Sequence, residues 1–356
     1  HATGGPNTAY VLGMLLANHG IPVSFISTDL PPDEELDAIK LHVQRLTGLE
    51  PDALEVEFLD GSNRSKSLAL GYNDVLMATA WWTAHAAQSA TSMLRCKRIY
   101  YLVQDYETLF YGASENFADA DASYSFDHVP IINTSLLRDH LASHAVGRYA
   151  STDFSRQAIE FEPAIDQSYF HPEERDAQHL AACSSTQGPL LQGGISLDSV
   201  LLFCARPSKR GFSGTAVGNL LEWENRSIQS PLAAGYMLEP AKWLGFEGLA
   251  TDARNDILLS SMLSPHPSYP PLEMAACGGL AVTTAFGSKT AARLAALSPN
   301  LIGAEPEIGD MLLALARAAR AQRHAPPEHT APTESSAELD RKPRACGGDN
   351  SHAVAT

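Results

Sequence analysis

Three groups of residues in this chain have types and spacings suited to chemistry. The first is Gln104, Asp105, Tyr106 and Glu107, with Tyr111 four residues on, directly after the apolar run 97–103. Polar and aromatic residues just past the end of a predicted strand lie where parallel α/β sheets bind ligands. Asp105 or Glu107 there could act as a general base, and Tyr111 could contact the ligand. The second is Arg206, Lys209 and Arg210, which follow the apolar run 199–204. Cations concentrated at a strand end suit a phosphate-bearing ligand, the alternative being a solvated surface cluster. The third is the stretch 264–284, in which Pro265, Pro267, Pro270 and Pro271 stiffen a loop. A short helix is predicted over 272–277, ended by Gly278 and Gly279, with a buried strand over 280–284. A helix N-terminus behind such a loop suits an anion, and Glu273 falls in the predicted first turn. Glu273 is then either a ligand contact or a capping carboxylate. His266 lies in the same loop, where a solvated side chain is the structural alternative.

The elements that must position these groups alternate along the chain. Residues 1–8, with Gly4 and Gly5, read as a turn-rich loop ahead of a helix over 9–19 and a strand over 21–27. Loop, helix and strand in that order imply a further strand ahead of residue 1, as at the start of an open parallel sheet. A polar-faced helix is predicted over 31–46. Strands are predicted over 53–59, 74–80, 97–103 and 129–134, and helices over 115–126 and 136–144. Trp81 and Trp82 open another helix, where they could line a sugar or base pocket or fill the core. Residues 158–172 resemble a crossing into a second domain, with a helix over 214–224 and a strand over 256–263. Beyond 284, helices are predicted over 287–297 and 308–323 and a strand over 300–303. From residue 324 the composition turns to Pro, Glu, Thr, Ser and Ala, which predicts a disordered tail. The domains are thus 1–166, 167–323 and a tail 324–356.

Composition narrows the function. The 356 residues carry a formal charge of -16, which argues against a general nucleic-acid binder but not against one local basic pocket. Five scattered cysteines without a C-x-x-C pair suit a reducing, cytoplasmic setting better than a disulfide framework or a zinc site. No run of 18 apolar residues appears. The dinucleotide fingerprint G-x-G-x-x-G is absent, which disfavours an oxidoreductase.

Four passages carry a family resemblance: Gly4 to Thr8; Ala78 to His85; Tyr101 to Glu107, continuing through Tyr111 to Thr134; and Leu263 to Ala275. In these the chain resembles nucleotide-sugar glycosyltransferases of the GT-B class, of the rhamnan-synthesis (rhamnosyltransferase) type. The resemblance implies an α/β fold of two Rossmann-like domains facing across a cleft, with the first strand missing. It implies transfer of a hexosyl unit, rhamnosyl included, from a nucleoside diphosphate sugar such as dTDP-rhamnose to a glycan acceptor, without a metal or other cofactor. Association with a membrane surface would come through the acceptor. Arg206 with Lys209 or Arg210 would hold the diphosphate and Glu273 the ribose. Leu272 and Met274 would give backbone or packing contacts, and His266 and Tyr269 would lie against the donor. Gly4, Gly5, Trp82 and Tyr111 would meet the acceptor near Asp105 and Glu107. One departure stands out: the broader family has two glutamates with seven residues between them, and the earlier position here is Pro265. The rival readings are an inactive relative that binds glycans or partner proteins, and a nucleotide-sugar epimerase.

Overall fold

The computed structural model of the chain describes residues 4–29, 31, 36–63, 65–167, 170–172, 180–186, 212–217, 238–241, 257–324 and 353–355. The chain forms two compact units, one of His1–Glu162 with Ser336–Thr356 and the other of Pro163–Ser335. The strands of the first unit are β1 (Val23–Ser27), β2 (Val56–Asp60), β3 (Val75–Ala78), β4 (Ile99–Val103), β5 (His128–Asn133) and β6 (Ile159–Phe161). Its helices are α1 (Gly4–Asn18), α2 (Leu36–Thr47), α3 (Trp81–Ala90), α4 (Glu115–Ser123), α5 (Ser135–Ser143) and α6 (Thr152–Arg156). Strand β4 is almost wholly apolar because helices cover both faces of its sheet. Ile99, Tyr101 and Val103 pack with Ala84 and Ala87 of α3 and Leu137 and Leu141 of α5. Leu102, one residue out of phase, packs with Ala9 and Leu12 of α1 on the opposite face. Gly13 lets α1 close on β1, since a Cβ there would lie 2.3 Å from Phe25 Cζ.

The second unit contains β7 (Leu180–Thr186), β8 (Phe212–Val217), β9 (Leu238–Ala241), β10 (Ile257–Ser261), α7 (Tyr269–Ala276), β11 (Leu280–Thr284), α8 (Ala291–Leu297), β12 (Leu301–Ala304) and α9 (Ile308–His324). Its six strands run parallel in the order β12-β11-β10-β7-β8-β9. Alternation again divides the faces: Ile257, Leu259, Leu280 and Val282 pack on α9, and Leu258 and Ala281 pack on α7. A last short strand, β13 (Ala353–Ala355), joins the first unit's sheet, whose order is β2-β1-β13-β3-β4-β5-β6, all parallel.

Several expectations change. Helix α1 starts at Gly4, so Gly4 and Gly5 lie in its first turn rather than in a loop, and Pro6 falls where a missing N–H costs little. Phe212–Val217 is a strand between β7 and β9, not part of a helix over 214–224. Pairing on both edges overrides the local pattern there. Near the C-terminus, β13 pairs with β1 on one side and β3 on the other. The strand expected over 199–204 lies outside the described residues.

Candidate active site

In the first unit the candidate residues gather where β3 and β4 end. Strand β4 stops at Val103, and Asp105–Glu107 turn back toward the N-terminus of α3. Tyr124, at the C-terminus of α4, fixes that turn: its hydroxyl donates to the Asp105 carbonyl over 3.2 Å and accepts from the Glu107 N–H over 3.0 Å. The Asp105 side chain is buried, and its Oδ1 accepts from the Tyr106 N–H at 2.7 Å. Glu107 Oε2 accepts from the Trp81 N–H at 2.7 Å, at the start of α3. Burial, and secondarily the charge of Asp105, push the Glu107 carboxyl up to about 8, against the lowering effect of the Trp81 hydrogen bond. A group that exchanges its proton near neutral pH therefore sits at a strand end.

Aromatic side chains border it. Trp81 Nε1–H donates to the Tyr111 hydroxyl at 3.0 Å, with the two rings edge to face 5.9 Å apart. Trp82 keeps 37% of its surface exposed, and its Nε1–H donates to Thr28 Oγ1 beyond β1. Gln104 Nε2 donates to the Gly5 carbonyl at 3.1 Å, joining the α1 N-terminus to the same strand end. The structure thus brings Gly5, Asp105, Glu107, Tyr111 and Trp82 to one edge of the sheet. Trp81 and Gln104, both noted at strand ends in the sequence, join them through hydrogen bonds, and Tyr124 joins them without having been singled out by sequence.

In the second unit, α7 begins at Tyr269, three residues earlier than predicted, so Glu273 lies in its second turn. Capping of this helix by Glu273 is therefore excluded. Pro270 and Pro271 remove two backbone donors from the first turn, and the Ser268 N–H is committed to His266 Nδ1 at 2.9 Å. Binding an anion here depends on side chains more than on the helix end. Leu272 and Met274 point into the core with Leu258, Ala281 and Leu301. Tyr269 and Glu273, four residues apart, share the less buried face of α7. His266 is buried; burial first, and then the charge of Lys289, lower its pKa to about 3, so it is neutral. Lys289 was missed because 287–297 read as a plain helix. Arg206, Lys209 and Arg210 lie outside the described residues.

Two parallel α/β units of this kind define the fold class of the GT-B glycosyltransferases. Residues 1–135 match the N-terminal domain of WsaF, and residues 216–316 match the C-terminal domain of WsaF. The structure is similar to Anabaena HepE in complex with UDP and glucose, with a TM-score of 0.57 at 13% identity, covering 86% of this chain and 92% of HepE. It is also similar to the sucrose-phosphate synthase of Thermosynechococcus elongatus, with a TM-score of 0.54 at 10% identity, covering 85% and 90%. In sequence, the O-antigen biosynthesis protein RfbC of Myxococcus xanthus is 30% identical over 307 residues, 80% of this chain. The chain spans 21% of the length of that relative. Among the described residues no helix is long and apolar enough to cross a membrane.

Proposed function

We propose that the chain is a glycosyltransferase of polysaccharide or O-antigen biosynthesis, moving a hexosyl unit from a nucleoside diphosphate sugar to a glycan acceptor. Rhamnosyl transfer from dTDP-rhamnose is the finer form of this reading, on the resemblance to rhamnan-synthesis enzymes. Glu107 carries the proposal. Of the two carboxylates at the end of β4, Asp105 is buried and engaged by its own loop, whereas Glu107 is half-buried and has a proton affinity suited to taking a proton from an acceptor hydroxyl near neutral pH. Trp82 and Tyr111 supply flat apolar surface for a sugar ring.

The donor belongs to the second unit. Glu273 and Tyr269 lie on one face of α7, with Glu273 assigned to the ribose. Arg206, Lys209 and Arg210 are assigned to the diphosphate, where fixed cations favour the dianion released on transfer. HepE, of the same fold, has been captured with UDP and with UDP-glucose, which supports a nucleotide-sugar donor. The test is to incubate the protein with UDP- and dTDP-sugars and follow transfer or hydrolysis, beside Glu107→Gln. Turnover lost in Glu107→Gln with nucleotide affinity kept supports the assignment. Nucleotide binding without turnover in the parent protein would instead support an inactive, glycan-binding relative.

A further inference from the structure

The C-terminal ends of β10 and β11 enclose a nest of buried polar side chains: Ser264, His266, Ser268, Thr283, Thr284 and Lys289. A lysine with no exposed surface is unusual, because burying an ammonium group is costly unless it is held by acceptors. Backbone geometry dictates its place. Phe286 and Lys289 exchange both backbone hydrogen bonds across a tight turn, at 3.0 and 2.9 Å, and Gly287 takes a φ of 55° inside it. The turn sends the lysine back to the end of β10, where Nζ donates to the Met262 carbonyl at 3.2 Å. Thr284 Oγ1 donates to that same carbonyl and accepts from the Met262 N–H at 3.1 Å. The peptide from which the loop 264–268 departs is thereby held from two elements.

The loop is pinned beyond that anchor as well. Ser264 Oγ accepts from the His266 N–H at 3.0 Å, and His266 Nδ1 accepts from the Ser268 N–H, with Ser268 at a φ of 68°. Accepting at Nδ1 puts the proton of the neutral ring on Nε2. That Nε2–H is buried and has no hydrogen-bond partner. A buried donor left without an acceptor, beside a buried cation, is a setting that an anion would complete.

We propose that Lys289 is a positioning residue of a phosphate site. By holding the Met262 carbonyl, it seats residues 264–268 so that His266 Nε2–H is presented to the diphosphate of a nucleotide sugar. The inference rests on the donor reading above, gives His266 a specific contact in it and adds Lys289. Nε2 is buried, so a phosphate reaches it by displacing loop atoms, and the anchor at Met262 keeps the loop's base in place meanwhile.

The experiment is calorimetry of the full chain with UDP, dTDP and uridine, for the parent protein, Lys289→Met, His266→Ala and the double variant. Lys289→Met removes the charge at similar length, while the Met262 carbonyl keeps its bond from Thr284 Oγ1. Each single variant is expected to weaken binding of the better diphosphate about 10- to 100-fold while leaving uridine unchanged. The double variant is expected to lose little beyond either single one, because the two residues act through one loop. Unchanged diphosphate affinity in Lys289→Met overturns the inference alone. So do equal losses for diphosphate and uridine, or additive losses in the double variant. No diphosphate binding by the parent protein overturns the donor reading, and this inference with it.

Discussion

The Trp81 N–H donates to Glu107 Oε2 over 2.7 Å, so a carboxyl group that burial drives toward its neutral form sits at the positive end of α3. The two effects oppose each other, and burial wins, leaving the group titrating near pH 8. If Glu107 is the base, turnover should rise with pH and level off above about 8. Glu107→Gln keeps an acceptor for the Trp81 N–H but cannot take a proton. It is expected to lower kcat by about 10²- to 10⁴-fold and to abolish the rise with pH, with UDP affinity unchanged. Initial rates from pH 6 to 9 check this, and a Glu107→Gln enzyme with the parent profile would remove Glu107 from the chemistry.

The same group governs part of the pH dependence of stability. In the native state Glu107 keeps its proton to about pH 8, whereas in the unfolded chain it releases it near the ordinary value of 4.5. Between those values the native state binds more protons, so its stability falls as pH rises through that window. The buried His128 and His266 act in the opposite sense. Burial is the largest cause in each and lowers their native values to about 4 and 3, below the ordinary 6.5. Their unfolded forms bind the proton first, so stability falls as pH drops below about 6.5. Urea midpoints should therefore peak near pH 6.5, where the gain from the histidines no longer outweighs the loss at Glu107. In Glu107→Gln the decline above the peak should flatten while the acid limb stays.

How much of this was legible in the sequence differs between the two units. The end of β4 could be read from an apolar run followed by Gln104, Asp105 and Glu107, because buried parallel strands end abruptly in polar residues. Tyr124 could not, because its role depends on α4 bringing it back across the turn 17 residues beyond Glu107. The start of α7 was misplaced because proline stops a helix internally but is welcome in its first turn, and Pro270 and Pro271 read equally well either way. Strand β8 was taken for helix because its pairing partners, β7 and β9, are distant in sequence. Lys289 passed unnoticed because 287–297 read as a plain helix, and nothing local shows that the turn at Gly287 folds it under β10.

Tyr124→Phe tests whether the turn carrying Glu107 needs its bridge. The change deletes one hydroxyl and leaves the Asp105 carbonyl and the Glu107 N–H without it. A loss of about 1–3 kcal/mol in stability is expected from the buried groups left unpaired. Turnover should fall further than UDP affinity, since the misplaced group belongs to the first unit. Equal stability and turnover in Tyr124→Phe would show that the turn holds by itself.

Packing of α1 gives a prediction independent of chemistry. A Cβ on Gly13 would meet Phe25 Cζ at 2.3 Å and Cε1 at 2.6 Å, so either the ring or the helix must shift. Phe25 has little room, being stacked on Phe58 at 5.3 Å and set edge-on to Tyr10 at 5.2 Å. Gly13→Ala gains helix propensity but is expected to cost about 1–3 kcal/mol through overpacking. Moving α1 also moves Gly5, whose carbonyl is tied to Gln104 beside Glu107, so acceptor affinity should weaken with stability. Thermal melts with acceptor titrations separate the outcomes. A variant destabilised without any change in acceptor affinity would detach the α1 N-terminus from the acceptor site.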